Sequence, residues 1–298
     1  MKIKSLNGCG VEILDVDIST FGAEEYEEIK NIFVNNLIVV FRNQPQLTIP
    51  FAKIAQSIGR IANYNQSLWS SDGKLLINKI DEISPFLYTG DDRDYPVQRI
   101  TGKVIDGQLS GVMGLNKLDW HTNMNGPFNR ARGLAYQAIG EEVKGNSTSF
   151  LHTVAAYEGM SDSLKKRCEI AVGSFMNSPE IWAPGLSKEM YTQMKKPGEG
   201  LYEMPLLNLS IGKKYGLYFH INNQCSFPDD PELLDVLKEH CFQDKFIYKH
   251  EWEPGDIVIS DQLLTLHKRD QVDPEVLKGM LLNRCSFHLH RVYNNKTS

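Results

Sequence analysis

The sequence predicts a mostly β core wrapped by a few helices, an α+β protein folded as one domain over residues 1–298. Three observations carry that expectation. Residues 246–292 are densely strand-like, with Asp-, Gly- and Pro-rich turns between the apolar runs. Short strand-like runs recur from Lys117 onward, broken by helical patterns only near 161–173 and 231–242. No linker divides the chain, and no period of about 20 to 50 residues repeats, which excludes solenoids and propellers. At 298 residues the chain is near the upper limit for a single core.

In chain order, a Gly8-Cys9-Gly10 turn precedes Val11-Glu12-Ile13-Leu14, whose alternation predicts an edge strand. Residues 23–35 place Tyr26, Ile29, Ile32 and Phe33 on one helical face, with acids in the first turn where the helix dipole favours them. The run LIVVF at 37–41 predicts a buried strand that leaves into a loop at Arg42-Asn43-Gln44-Pro45. Pro50, tolerated in a first turn, opens a second amphipathic helix to about Gly59. Residues 67–116 lose this pattern and are rich in Gly, Asp and Ser, which predicts an active-site lid or insert.

Composition narrows the function classes. With 41% hydrophobic and 23% charged residues the chain has the make-up of a folded globular protein. Its net charge of -5 disfavours nucleic acid and anionic membrane surfaces as partners. The longest apolar run, 37–41, is far below the ~20 residues of a membrane span, and no signal-peptide pattern opens the sequence, so a cytoplasmic protein is expected. Five scattered cysteines, none at Cys-x-x-Cys spacing, point to reduced thiols.

Two segments carry chemistry. In Leu118-Asp119-Trp120-His121-Thr122-Asn123, a strand would set His121 and Asn123 on one face. A His-x-carboxylate pair plus a distant His makes the facial triad of non-haem iron oxygenases. Taken alone, His-x-Asn fits a core or surface histidine better. The second segment is Trp252-Glu253-Pro254-Gly255-Asp256, then an apolar strand to Asp261, then Leu266-His267 and a downstream Arg284.

The combination of Trp-x-x-Gly-Asp, apolar strand, Asp, Leu-x-His and Arg resembles the C-terminal signature of the taurine dioxygenase family (TauD/TfdA-like, within the clavaminate and carbapenem synthase superfamily). Trp120-His121-Thr122-Asn123 resembles that family's Trp-His-Thr-Asp. Phe41-Arg42-Asn43-Gln44 is similar to its Phe-Arg-x-Gln element, and residues 145–150 to its Gly-x-Thr stretch, all in collinear order. The resemblance implies a distorted double-stranded β-helix (jelly roll) and an Fe(II)- and 2-oxoglutarate-dependent dioxygenase that hydroxylates a C–H bond of a small polar metabolite. It implies His121 and His267 as metal ligands with Asn123 at the carboxylate position, and Thr148 and Arg284 as co-substrate contacts. A small-molecule substrate and O2 are the expected partners, with a homo-oligomer left open.

Two departures stand out. The acidic ligand is Asn123, a neutral and weaker donor, and the first arginine of the family's Arg-x-x-x-Arg pattern is Met280. Lys278, read as lying on the same strand face as Met280, is the expected substitute for that arginine, or Arg284 turns to the task. These departures also fit two alternatives. One is a non-catalytic or 2-oxoglutarate-independent binding or sensor protein on the same fold. The other is halogenase-like chemistry, although relatives that halogenate carry Gly or Ala at the carboxylate position. Asp119, two residues before His121 and on the same strand face, is the only nearby carboxylate that could replace Asn123. His220 either lines the pocket or is a satisfied core histidine, and the pair His288-x-His290 fits a polar strand face better than a zinc site.

Overall fold

The structure, a computed structural model, describes residues 1–61, 97–101, 104–105, 108–109, 118–123, 131–177, 200–210, 212–221, 225–269 and 274–289. Its centre is two facing sheets. The larger has eight strands in the order β1 (Lys2–Ser5), β2 (Val11–Leu14), β3 (Ile38–Phe41), β17 (Ile257–Asp261), β9 (Ala131–Ala138), β19 (Leu281–Leu289) and β4 (Gly59–Ile61), with β5 (Gln98–Thr101) also paired to β19. The smaller runs β16 (Ile247–Glu251), β10 (Ser147–His152), β18 (Thr265–Arg269) and β8 (Leu118–His121). Sheets β12–β11–β15 (Gly200–Pro205, Val172–Asn177, Cys225–Ser226) and β13–β14 (Leu207–Leu209, Tyr215–Leu217) extend the β content.

The period of two along each strand sorts side chains between layers. In the larger sheet Val39, Phe41, Ala135, Ile257, Ile259, Cys285 and Phe287 face outward, under helices α1 (Ala23–Asn36) and α2 (Thr48–Ile58). Ile38, Val40, Leu134, Tyr136, Val258 and Leu282 face inward and meet Phe150 and Trp252. Because β3 is covered on both faces, its run is uniformly apolar instead of alternating. The outer face of the smaller sheet, with Trp120, Leu151 and Leu266, packs on α3 (Thr153–Glu158), α4 (Asp162–Ile170) and α5 (Leu233–Cys241).

Helix α1 buries Ile29 and Phe33, with Tyr26 and Ile32 packed beside them, as its periodicity predicts. The Glu25 carboxylate accepts the Gly22 N–H at 2.8 Å, satisfying a donor left over at the helix start. Strand β2 is not an edge strand. Outside it lies β1, whose four residues are all exposed; the edge position needs no apolar residues, and its lysines discourage further pairing. Of segment 67–116, the described residues include β5 inside the larger sheet and the short ladder β6 (Val104–Ile105) with β7 (Gln108–Leu109). The rest of the expected lid lies outside the described residues.

Candidate active site

Strands β8 and β18 pair with His121 opposite His267, which sets the two imidazoles side by side on the inner face, ring centroids 4.3 Å apart. Nδ1 of His121 lies 2.6 Å from the Asp119 carbonyl, so the ring proton sits there and the Nε2 lone pair is free. That Nε2 is buried and has no hydrogen-bond partner among the described residues. Burial, the Arg269 and Arg284 charges included, lowers the His121 pKa, and burial with His121 and Arg284 holds His267 well below the ordinary histidine range. Both rings are therefore neutral, the state a metal ligand requires.

Asn123 follows β8 and is pinned twice. Its backbone N–H donates to Gln262 Oε1 at 2.9 Å, and its amide Nδ2 donates to Tyr136 Oη at 3.1 Å. The same amide is 3.3 Å from His267 Nε2. Two donors bound at right angles to one metal with bonds of about 2.1 Å would be separated by about 3 Å. The amide is thus within the range at which it could serve as a second donor to a metal on His267, once a half-turn of the amide brings its oxygen to that point. Gln262 is projected by a tight turn in which Asp261 Oδ1 accepts the N–H groups of Leu263 (2.7 Å) and Leu264 (2.9 Å). Asp119 is exposed, and its carboxylate accepts the Trp120 N–H at 2.8 Å, so it does not enter the site.

Beyond His267 the sheet continues to Thr148 on β10, which faces Arg269 on one side and His250 on the other. The Thr148 hydroxyl accepts a hydrogen bond from Trp252 Nε1 at 3.0 Å, so the Trp of the Trp-x-x-Gly-Asp motif fixes the hydroxyl of the Gly-x-Thr motif. Across the interior, Arg284 is buried on β19 and donates through Nε to Gln98 Oε1 at 2.9 Å. A second pair of motifs also meets. Arg42 donates to Asp256, Gln44 N–H donates to the Gly255 carbonyl, and a Cβ at Gly255 (φ +82°) would lie 2.3 Å from the Gln44 carbonyl oxygen. Asp256 is also 3.1 Å from His250 Nε2, while Tyr248 Oη donates to His250 Nδ1 at 2.9 Å.

Lys278 does not belong to this site. It lies in the last turn of α6 (Pro274–Gly279), not on a strand, and its exposed ammonium pairs with Glu275. The expectation failed because β19 starts only at Leu281, so the period of two does not reach back to Lys278. Met280 is 2% exposed and packs in the inter-sheet core with Leu277 and Leu282. His288 lies half-buried on β19, and His290 is outside the described residues. Arg269, Tyr136, Gln262 and Gln98 went unread in the sequence. Only Arg269 had a local signal, two residues after His267 on one strand face.

His220 does line this group. Segment 218–221 follows the edge of β8 that β18 leaves open: Ile221 N–H donates to the Trp120 carbonyl at 3.1 Å, and Thr122 N–H to His220 Nδ1 at 3.3 Å. Burial, with His121 adding, lowers the His220 pKa to about 3. Among the described residues no three His, Cys, Asp or Glu side chains form a metal-holding cluster.

Residues 2–293 match the family described as Taurine catabolism dioxygenase TauD, TfdA family. The chain belongs to this family. It is accordingly an iron(II)- and 2-oxoglutarate-dependent dioxygenase acting on a small molecule with O2. Among curated relatives, the alpha-ketoglutarate-dependent 2,4-dichlorophenoxyacetate dioxygenase of Cupriavidus pinatubonensis is 25% identical over 277 residues, covering 90% of each chain. Pentalenolactone F synthase of Streptomyces arenae is 48% identical over 194 residues, 59% of this chain and 64% of that one. The fold matches the crystal structure of AAD-2 in complex with Mn(II) and N-oxalylglycine (TM-score 0.65, 17% identity, 97% and 98% covered). It also matches a taurine dioxygenase from Burkholderia xenovorans (TM-score 0.64, 18% identity, 94% and 86% covered). The jelly-roll expectation agrees with these neighbours. No helix among the described residues is long and apolar enough to cross a membrane.

Proposed function

We propose that His121, Asn123 and His267 hold the iron(II) and that Thr148 and Arg284 hold 2-oxoglutarate, so that this dioxygenase hydroxylates a C–H bond of a small polar metabolite. The observation that carries the reading is the buried Nε2 of His121, without a hydrogen-bond partner among the described residues, beside His267, with the Asn123 amide 3.3 Å from the second imidazole. An unpaired buried nitrogen costs about 1 to 3 kcal/mol, a cost removed when a metal takes its lone pair. The iron, when bound, supplies oxygen activation, with electrons from decarboxylation of 2-oxoglutarate.

The protein's share is orientation and exclusion of water. The Asp119 carbonyl fixes the His121 tautomer, as outer-shell acceptors do for metal-bound imidazoles. Gln262 and Tyr136 fix Asn123 from two sides. Trp252 holds the Thr148 hydroxyl by its oxygen, which leaves the Thr148 O–H to donate to a carboxylate. Gln98 steadies the Arg284 guanidinium. The amide of Asn123 fills the third position, which argues against halogenase-like chemistry needing that position open for an anion. The paired histidines with Thr148 and Arg284 argue against a sensor that has lost its site.

The test is anaerobic titration with iron(II), then 2-oxoglutarate, followed by the charge-transfer absorption of the bound pair. Wild type should develop the band and His267→Ala should not. No band in wild type, or an equal band in the variant, overturns the assignment. Release of succinate with candidate substrates then tests the oxidation.

A further inference from the structure

We propose that His220 is a substrate-binding residue of this site, donating its Nε2–H to an acceptor oxygen of the metabolite being oxidised, and is not a metal ligand. The inference rests on the metal assignment above. Thr122 N–H donates to His220 Nδ1, so that nitrogen presents its lone pair and the neutral ring must carry its proton on Nε2. A nitrogen bearing a proton cannot ligate a metal. Turning the ring over would set the Nδ1 proton against the Thr122 N–H.

That Nε2–H is buried in a residue 1% exposed and has no partner among the described residues. Its ring plane is held by edge contacts to Phe175 (5.5 Å between centroids) and Tyr218 (5.2 Å), so it cannot swing to find one. A donor fixed at this cost points to an acceptor that arrives with a ligand.

The sheet order says which ligand. Across the smaller sheet the inward residues run from Thr148 and Arg269, through His267 and His121, to His220 on the far edge of β8. Thr148, the co-substrate contact on this sheet, lies at the opposite end, two strands beyond His121, while Arg284 reaches in from β19 of the facing sheet. His220 therefore sits across the metal ligands from 2-oxoglutarate, where the other reactant must lie. The chemistry that fits is a substrate with a carboxylate or carbonyl oxygen near the carbon that is oxidised.

His220→Phe keeps the ring and deletes the donor, while His220→Gln keeps an N–H at the Nε2 position. In wild type and both variants, iron(II) affinity, 2-oxoglutarate affinity of the iron-loaded protein, and affinity for the probe 2,4-dichlorophenoxyacetate are measured by titration of the charge-transfer band. Iron(II) and 2-oxoglutarate affinities should stay within about threefold, which also shows that the variants fold. Probe affinity should fall about tenfold or more in His220→Phe and recover in His220→Gln, the loss expected for one hydrogen bond to a charged group. Loss of iron binding in His220→Phe would make His220 a ligand and overturn the proposal. So would loss of 2-oxoglutarate binding, or probe affinity that is equal or absent in all three proteins. Absence of the band in wild type defeats the metal reading itself, and this inference with it.

Discussion

The amide of Asn123 lies 3.3 Å from Nε2 of His267 and 3.1 Å from the hydroxyl of Tyr136. A carboxylate there would meet the metal with a full negative charge and accept the Tyr136 O–H. Asn123→Asp should therefore tighten iron(II) binding at least tenfold, measured by anaerobic competition with a chelator. Unchanged affinity would mean that the side chain turns away from the metal.

Met280 occupies the family's first arginine position but is surrounded by apolar groups. An arginine there is a buried charge with no counter-ion until a dianion binds. Met280→Arg should lower the melting temperature of the metal-free protein by several degrees and enlarge the stabilisation on adding iron(II) and 2-oxoglutarate. Thermal scans with and without both ligands check the pair of effects, and a lowered temperature with no larger ligand shift would count against the arginine reaching the co-substrate.

Trp252 Nε1 is the donor that fixes the Thr148 hydroxyl. Trp252→Phe keeps most of the packing and frees the hydroxyl to rotate. Weakening of 2-oxoglutarate binding by roughly 1 kcal/mol, about fivefold, is expected with iron(II) affinity unaltered. Equal weakening of both would place Trp252 in general packing only.

Burial raises the Asp261 carboxyl from its ordinary value to about 6. Between about pH 4 and 6 the folded chain holds a proton that the unfolded chain has released, so stability falls as pH rises through that window and then levels. The two-unit shift corresponds to roughly 3 kcal/mol. Asp261→Asn keeps the oxygen that accepts the Leu263 and Leu264 N–H groups without the charge. Its stability minus that of wild type, from urea melts, should grow across the window; a constant difference would sink the idea.

Arg42 and Asp256 join the two motifs that flank β3 and β17. Asp256 is buried, and the Arg42 side chain is 35% exposed. Arg42→Ala removes the cation and leaves the carboxylate with His250 and the backbone N–H groups of Glu253 and Asn43. After discounting for that exposure, a loss of about 2 kcal/mol in denaturant melts is expected. A loss below about 0.5 kcal/mol would show that solvent already screens the pair.

What could be read in the sequence was local in origin. LIVVF predicts a buried strand, the face of Tyr26, Ile29, Ile32 and Phe33 predicts α1, and the strands 118–121 and 265–269 that carry His121 and His267 follow from their motifs. What escaped depends on pairing between distant strands. Tyr136 reaches Asn123 because β9 lies beside β19 and β17 in the opposing sheet, and no spacing within the chain encodes that. His220 reaches the site along an irregular segment where the period of two gives no direction. Lys278 was misread for the converse reason: the local period was extended past the true start of its strand.

The larger sheet also dictates when the molecule can close. Strands β1 to β3 form one flank and β4 the other, while of β17, β9 and β19 between them two, β17 (Ile257–Asp261) and β19 (Leu281–Leu289), lie far downstream of β3 in the chain. Every pairing of β3 with its antiparallel neighbour therefore waits for residues about 200 positions later in the chain, Ile257 lying opposite Phe41. Until then Ile38, Val39, Val40 and Phe41 have one unfilled edge, in a run of high strand propensity without charge. Slow maturation, and a need for protection of the nascent amino-terminal portion against self-association, follow from where these strands fall along the polypeptide.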